Sequence, residues 1–196
     1  MELTTLPRVK DRLAINANES KHDDVIERMI RAASAKVESY LRRQMTKATT
    51  TEYFDVTPGQ RIFSLKAYPI TSITTVHNDT EWVYGSSTLM ASDTYQEDAD
   101  TGLLYVDSAY LITGVRALKV VYVGGMAATT TAFVLDQDYA NLVDATERHV
   151  CFLFNMRGKE GTTTASAATG NVTWVGSTDL TDGVKKDLDD YRRVIL

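Results

Sequence analysis

The feature that most constrains the fold is a long two-sided helix followed by an abrupt change to strand sequence. Over residues 23–45 apolar side chains recur at intervals of three and four, which is typical of an amphipathic helix. From Thr49 the period changes, and threonine and other β-branched residues become frequent. Helical sequence is expected to return only after Asp136. This order predicts a helical layer interrupted by an inserted β module.

Turn residues divide the middle of the chain into short strands. We expect a hairpin around the turn Thr57–Gln60, two strands on either side of the turn Asp98–Thr101, and a buried strand over residues 117–125. Five or six short strands with frequent turns predict a small antiparallel sandwich or barrel. Shorter helices are expected over residues 6–14 and around Thr181–Val194.

Together these elements predict an α+β fold, namely a small helical bundle with an inserted antiparallel β-sandwich or barrel-like module. Residues 1–48 and 132–196 would form a discontinuous helical domain, and residues 49–131 the inserted module. The sequence holds no run of eighteen apolar residues, so no membrane partner is expected. The single cysteine, Cys151, excludes an internal disulfide and fits a reducing cytoplasm.

The charge is unevenly distributed along the chain. The net charge is −5, but residues 1–50 hold ten basic against seven acidic side chains, whereas residues 51–146 hold four against twelve. The helical start is therefore mildly basic and the middle strongly acidic. Because an acidic module repels DNA phosphates, a sequence-reading DNA-binding role is disfavoured.

No pattern in the sequence points to catalysis or to a bound cofactor. His149 and Cys151 lie two residues apart on a predicted helix and would point about 200° away from each other, so they do not form a nucleophile–base pair. The acidic run that precedes Gly102 lacks the glutamate of a calcium loop, since position 108 is serine. Gly124–Gly125 is not followed by the Lys-Ser/Thr of a phosphate loop. We therefore expect no enzyme, no metal and no cofactor.

The order of several short motifs resembles that of the tailed-phage head–tail connector proteins, also called adaptor or head-completion proteins. The motifs are LTTLPRVKDRLAI, DDVIERMIRAASAKVESYLRRQM, TTTEYFDV, L-x-x-YPITSITTV, SDTYQEDADTGLLYV and VVYVGGM. The resemblance covers roughly residues 3–160, and each motif is weak by itself.

The resemblance implies a virion protein of the phage neck, made in the host cytoplasm. In this family a helical bundle with a β insertion assembles as a ring, usually twelve-fold, beneath the portal protein. The ring extends the DNA channel, through which DNA passes without sequence-specific binding, and it docks the tail or a stopper protein. The helices at 23–45 and 136–157 would form the bundle and much of the contact between subunits.

Two sets of candidate interaction residues follow from the resemblance and from the charges. The C-terminal helix and tail are expected to bind the portal through Val184, Leu188, Tyr191, Arg192, Arg193 and Leu196. Contacts between subunits of the ring are expected to pair basic with acidic residues, namely Arg28, Arg31, Arg42, Arg43, Glu97, Asp98 and Asp100. Solvated helix ends explain the arginine pairs equally well. The alternative function is a nucleic-acid-binding DNA-packaging factor that uses the basic faces of residues 8–43, although a basic stripe interleaved with aromatic residues is missing there.

Overall fold

The computed structural model describes residues 1–157, 164–167, 170–173 and 179–193. The helices are α1 (Leu6–Arg12), α2 (Asp23–Leu41), α3 (Thr130–Leu135), α4 (Ala140–Asn155) and α5 (Asp182–Leu188). The strands are β1 (Ala48–Val56), β2 (Ile62–Ser64), β3 (Ile70–Asn78), β4 (Tyr95–Asp98), β5 (Leu103–Val106), β6 (Gly114–Gly124), β7 (Thr164–Ala167) and β8 (Gly170–Thr173). The expected α+β class is confirmed.

The chain divides into two units, and each closes its own core. The helical unit comprises Met1–Leu41 and Val134–Tyr191, and the β unit comprises Arg42–Phe133 together with Arg192 and Arg193. The β7–β8 hairpin belongs by its residue numbers to the helical unit.

The core of the helical unit is made by one face each of α1, α2 and α4. One buried cluster of this core comprises Val9, Ile26, Ile30, Ala33 and Val150. Complete burial of a large aliphatic side chain contributes about 1.5–3 kcal/mol to the free energy of folding. This cluster therefore supplies much of the energy that holds the N-terminal helices against α4.

A buried carboxylate on α4 adds a polar connection to the N-terminal segment. Glu147 Oε1 accepts hydrogen bonds from Thr4 Oγ1 at 3.0 Å and from Arg8 Nε at 2.6 Å. Arg12 Nη1 lies 3.4 Å from the other oxygen and 2.6 Å from Asp144 Oδ1. Because Glu147 is buried, its charge needs these partners.

The amphipathic helix is shorter than its apolar pattern indicates. It begins at Asp23 as expected, but it ends at Leu41 and does not continue to residue 45. Arg42 has a φ of 54°, which stops the helical backbone. Residues 44–45 then bond to segments that follow β2 and β6, because Gln44 N–H donates to Lys66 O and Met45 O accepts from Met126 N–H.

The β unit contains two three-stranded antiparallel sheets. The first has the order β1–β6–β3, and the second has the order β2–β5–β4. Both sheets supply buried side chains to one core, including Val56, Phe63, Leu104 and Val120. This is the sandwich-like arrangement that the strand pattern predicted.

Two local expectations for this unit had different outcomes. The strands around Asp98–Thr101 do form a hairpin, β4–β5, and Gly102 has a φ of 72°. The hairpin expected at Thr57–Gln60 is wrong, since β1 pairs with β6 and β2 pairs with β5. The turn exists, and the Gln60 side chain caps it by accepting from the Thr57 N–H, but the chain crosses there from one sheet to the other.

Helical structure also returns earlier than expected. Helix α3 begins at Thr130, six residues before Asp136. Thr129 Oγ1 accepts the N–H of Ala132 at 3.2 Å, as a helix N-cap does. This cap and the burial of Phe133 favour helix over the threonine-rich residues 129–131.

Candidate assembly surfaces

The arginines expected at a subunit interface occupy different environments. Arg28 and Arg31 are exposed on α2, and Arg28 Nε donates to Asp24 O one turn earlier at 3.2 Å. Arg42 is also exposed and directly follows the last residue of α2. Arg28 and Arg31 are therefore accessible to a partner that binds the helical unit, and Arg42 is accessible to a partner that binds the β unit.

Arg43, by contrast, is buried within the β unit. Its side chain is only 7% exposed, its guanidinium lies 3.4 Å over the centre of the Tyr68 ring, and its Nη2 donates to Tyr68 O. Burial raises the pKa of Tyr68, while the charge of Arg43 acts in the opposite direction. A side chain held in this way inside the β unit is not displayed for a neighbouring subunit, so its assignment as an interface residue needs correction. Nothing local distinguishes Arg43 from its neighbour Arg42 at the level of sequence.

The acidic candidates lie together on the β4–β5 turn. We call Glu97, Asp98 and Asp100 the acidic turn. Glu97 and Asp100 are exposed, and Asp98 Oδ1 accepts the N–H of Thr101 at 3.4 Å within the turn. The turn is joined to the first sheet, since Ala99 O accepts the N–H of Ile70 at 2.7 Å. The acidic turn is therefore a fixed, negatively charged projection of the β unit.

The residues expected to bind the portal are divided between core and surface. Val184 and Leu188 of α5 are buried in the helical unit, so in this conformation they pack the helix and leave its other face for a partner. Tyr191 Oη donates to Asp138 O at 3.4 Å. Arg193 is anchored on the β unit, where Nε donates to Ser64 Oγ at 3.0 Å and Nη2 donates to Ser64 O. Arg192 is exposed, and Leu196 lies outside the described residues.

An exposed apolar surface at the other end of the β unit was not anticipated from the sequence. We call it the tryptophan patch, and its members are Trp82, Val83, Ile112 and Val115 with the flanking Tyr53, Leu89 and Tyr110. Trp82 is 60% and Val83 78% exposed. The run EWVYG after the turn at Asn78–Asp79 was the available signal, but it resembles a strand as much as a loop.

The histidine and cysteine of α4 do not form a reactive pair. His149 is buried, stacks on Phe152 with 6.2 Å between ring centroids, and has no hydrogen bond to either ring nitrogen within the described residues. Burial lowers the pKa of His149 and raises the pKa of Cys151, and both effects oppose an imidazolium–thiolate pair.

No cluster of three or more histidine, cysteine or carboxylate side chains suited to a metal occurs in residues 1–157 or in the described part of the C-terminal region. Among the helices described, none combines the length and the apolar character that crossing a bilayer requires.

Comparisons with known proteins agree with the fold described above. The family model described as head completion protein matches residues 2–194. A comparison with curated proteins finds no match.

Three similar solved structures come from gene transfer agent (GTA) particles. A chain of the virion of a native particle is 15% identical, with a TM-score of 0.63 over 99% of this chain and 91% of that one. A chain from the neck of an empty particle, computed with C6 symmetry, is 13% identical, with a TM-score of 0.62 and the same coverage. A chain from the neck of a native particle, computed with C12 symmetry, is 16% identical, with a TM-score of 0.59 over 100% and 96% of the two chains.

At these identities the three structures show a shared fold, whereas the family model matches almost the entire chain. The resemblance predicted from the short motifs is confirmed. The chain belongs to the head completion protein family.

Proposed function

We propose that this protein is a structural head–tail connector of a tailed phage or a phage-like particle, located in the neck of the virion. In this role it assembles as a ring beneath the portal protein, extends the DNA channel and docks the tail or a stopper protein. The observation that carries the proposal is the family match over residues 2–194. The fold shared with chains of virion and neck structures supports it.

The symmetry of the similar neck structures supports a ring. They were computed with C6 and C12 symmetry, and a ring of identical subunits satisfies both when it has twelve members. Such a ring needs two different complementary surfaces on each subunit. We expect the free protein to be monomeric or weakly associated and to form the ring on a portal template, and light scattering of the free protein tests this expectation.

The charges of the chain are compatible with a channel through which DNA passes without being bound. Residues 51–146 carry four basic against twelve acidic side chains, and on the N-terminal helices Arg8 and Arg12 are paired with carboxylates of α4. A DNA-packaging factor would instead need unpaired cations along a nucleic-acid path. A gel-shift assay at physiological salt distinguishes the two functions, because tight, salt-sensitive DNA binding would contradict a connector that lets DNA slide.

The direct test is binding to the portal protein of the same particle. We propose that the C-terminal tail after Tyr191 makes this contact. Because Val184 and Leu188 are buried, deleting residues 184–196 would damage the helical unit, so the sharper variant removes only residues 194–196. We expect it to lose portal binding in a pull-down while its melting temperature stays unchanged. Lys186→Ala, on the exposed face of α5, is the matched control and should still bind. Unchanged binding by the truncated chain would refute the C-terminal assignment, and no portal binding by the parent chain would refute the connector role.

A further inference from the structure

The β7–β8 hairpin is a sheet of two strands only. The strands pair antiparallel in a regular register, with Ala165 opposite Val172 and Ser166 opposite Asn171. Within the described residues no third strand joins them. Each strand therefore has one edge whose backbone N–H and C=O groups are not bonded to another strand. Because a hairpin of two strands is at best marginally stable in water, this element is incomplete by itself.

The residues of the hairpin give it little stability of their own. Four of its eight strand residues are alanine, glycine or asparagine, which are depleted in natural strands. Only Thr164, Val172 and Thr173 are residues that favour the extended backbone. Hydrogen bonds to a further strand on either edge would therefore contribute much of the stability that the hairpin needs.

No charge protects the two edges. Residues 161–178 contain no acidic or basic side chain and no proline, although 24% of the whole chain is charged. Natural proteins keep edge strands apart by placing charged residues, especially lysine, or proline on them. That protection is missing here, and two copies of this segment can approach each other without repulsion between like charges. The composition therefore favours the same hairpin of a second copy as the partner.

Rotation about the axis of a ring supplies a suitable geometry for this pairing. It keeps the direction of each strand along the axis, so β8 of one copy runs antiparallel to β7 of the next, as β7 and β8 do within one copy. The free edge of β7 and the free edge of β8 are two different surfaces, as a head-to-tail contact requires. Pairing of this kind leaves no free edge once the ring has closed.

The dimensions of the closed arrangement agree with a DNA channel. Twelve copies, as proposed above, contribute twenty-four strands, whose perimeter at about 4.8 Å per strand is about 115 Å and whose diameter is about 37 Å. Side chains take about 5 Å on each wall, half the spacing of packed sheets, and leave an opening of about 27 Å. This opening admits a DNA duplex, and tilting of the strands widens it. A wall without charge also neither attracts nor repels phosphates.

We infer that β8 of one subunit pairs antiparallel with β7 of the next copy of this chain in the ring, so that the hairpins form a continuous band around the DNA channel. The inference rests on the proposed ring and names the element that joins its subunits. A strand of the portal protein is the competing occupant of the two edges.

Disulfide formation between two single-cysteine chains tests the pairing. In a Cys151→Ser background, equal amounts of an Ala165→Cys chain and a Val172→Cys chain are assembled on portal rings and oxidised. We expect covalent dimers, since Ala165 and Val172 lie opposite each other in the hairpin and rotation keeps them at one height on neighbouring copies.

Two further mixtures allow for the stagger that tilted strands introduce. Thr164→Cys is mixed with Asn171→Cys, and Ala167→Cys is mixed with Val172→Cys. They cover a shift of two residues in either direction, the smallest shift that keeps residues on the same face of a sheet. At least one of the three mixtures should give dimers.

The chains assembled singly are the matched controls. Ala165→Cys alone should give no dimer, because β7 strands of adjacent copies lie two strand spacings apart, about 9.6 Å, and a disulfide needs Cα atoms within about 7 Å. Efficient dimerisation of Ala165→Cys alone would show contact between identical strands and overturn the inference. Full assembly on the portal without dimers from any mixture would also overturn it and leave the connector role intact. Failure of the parent chain to bind the portal or to assemble would overturn both.

Amide hydrogen exchange provides a measurement that does not depend on the register. The outward N–H groups of residues 164–167 and 170–173 should exchange at least about tenfold more slowly in rings assembled on the portal than in the free chain. Unchanged exchange would show that the edges stay unpaired in the ring and would overturn the inference. Slower exchange without covalent dimers would assign the edges to a strand of the portal and overturn it too.

Discussion

The Tyr122 hydroxyl on β6 donates a hydrogen bond to Glu52 Oε1 on β1, and both side chains are buried. The same carboxylate oxygen accepts the N–H of Lys66 at 2.7 Å, and the hydroxyl accepts the N–H of Ala67 at 2.9 Å. Together they hold the segment after β2 against the first sheet. Burial raises the pKa of Tyr122, and the charge of Glu52 raises it further, so the hydroxyl keeps its proton and remains a donor.

We expect Tyr122→Phe to lower the free energy of unfolding by about 1–3 kcal/mol, because the buried N–H of Ala67 loses its acceptor and Glu52 loses a donor. Urea unfolding followed by circular dichroism measures the change. Tyr105→Phe, on the exposed face of β5, is the matched control and should change stability by less than about 0.5 kcal/mol. Equal stability of the two variants would show that the hydrogen bonds around Tyr122 do not stabilise the unit.

The glycine pair at the end of β6 gives a second prediction. A Cβ on Gly124 would collide with the carbonyl of Ala67, which is backbone and cannot move aside cheaply. Gly124→Ala should therefore destabilise the protein by at least about 2 kcal/mol, or prevent folding. At Gly85 no atom lies within 4 Å of the added Cβ and φ is −78°, so Gly85→Ala should be nearly neutral. Thermal melting of both variants tests the contrast, which a stable Gly124→Ala chain would contradict.

Two arginines that look equivalent in the sequence should behave differently. Arg43→Ala removes the contact with the Tyr68 ring and a buried hydrogen bond, and we expect a loss of about 2 kcal/mol. Arg31→Ala, on the exposed face of α2, should stay within about 0.5 kcal/mol of the parent and act, if at all, on ring assembly. Chemical unfolding separates the two effects, and a destabilised Arg31→Ala chain would show that this side chain has a structural role.

The buried histidine predicts an acid sensitivity of the helical unit. The pKa of His149 lies below its ordinary value of 6.5 because burial disfavours the imidazolium, and Lys36 adds repulsion that Asp179 opposes. The unfolded chain takes up a proton at His149 near pH 6.5, whereas the folded chain does so only at lower pH. The contribution of neutral His149 to the free energy of unfolding is therefore fully present above pH 6.5, and it is lost as the pH falls towards the pKa of the folded state. His149→Leu should reduce this loss as the pH falls below about 6.5. Unfolding curves measured at several pH values test the prediction, and an unchanged pH dependence would assign the acid sensitivity to other groups.

The helices and strands that have a regular side-chain period could be predicted from the sequence. The places where the backbone departs from that period could not. The apolar stripe of α2 and the strand around Val120 follow from side-chain periodicity, which tertiary contacts reinforce. The end of α2 at Leu41 depends on the left-handed backbone of Arg42 and on pairing with residues 66 and 126, which are distant in the sequence.

The same distinction applies to the candidate surfaces. The acidic turn was predictable because the carboxylates of a tight turn with Gly102 are exposed to solvent independently of long-range packing. The burial of Arg43, Val184 and Leu188 depends on long-range packing, and the tryptophan patch depends on loop conformations at Trp82 and Tyr84 that no local propensity favours.

The split of the helical unit between the two ends of the chain sets an order in which the molecule can be made. Helix α2 ends at Leu41 and its packing partner α4 ends at Asn155, so the end of α2 leaves the ribosome about 114 residues earlier, a delay of roughly 6–23 s at about 5–20 residues per second. The main buried cluster of the β unit runs from Val56 to Tyr122, so it can close during that interval. Until α4 has been translated the apolar face of α2 is uncovered, and a newly made connector is therefore exposed to aggregation or to chaperone capture.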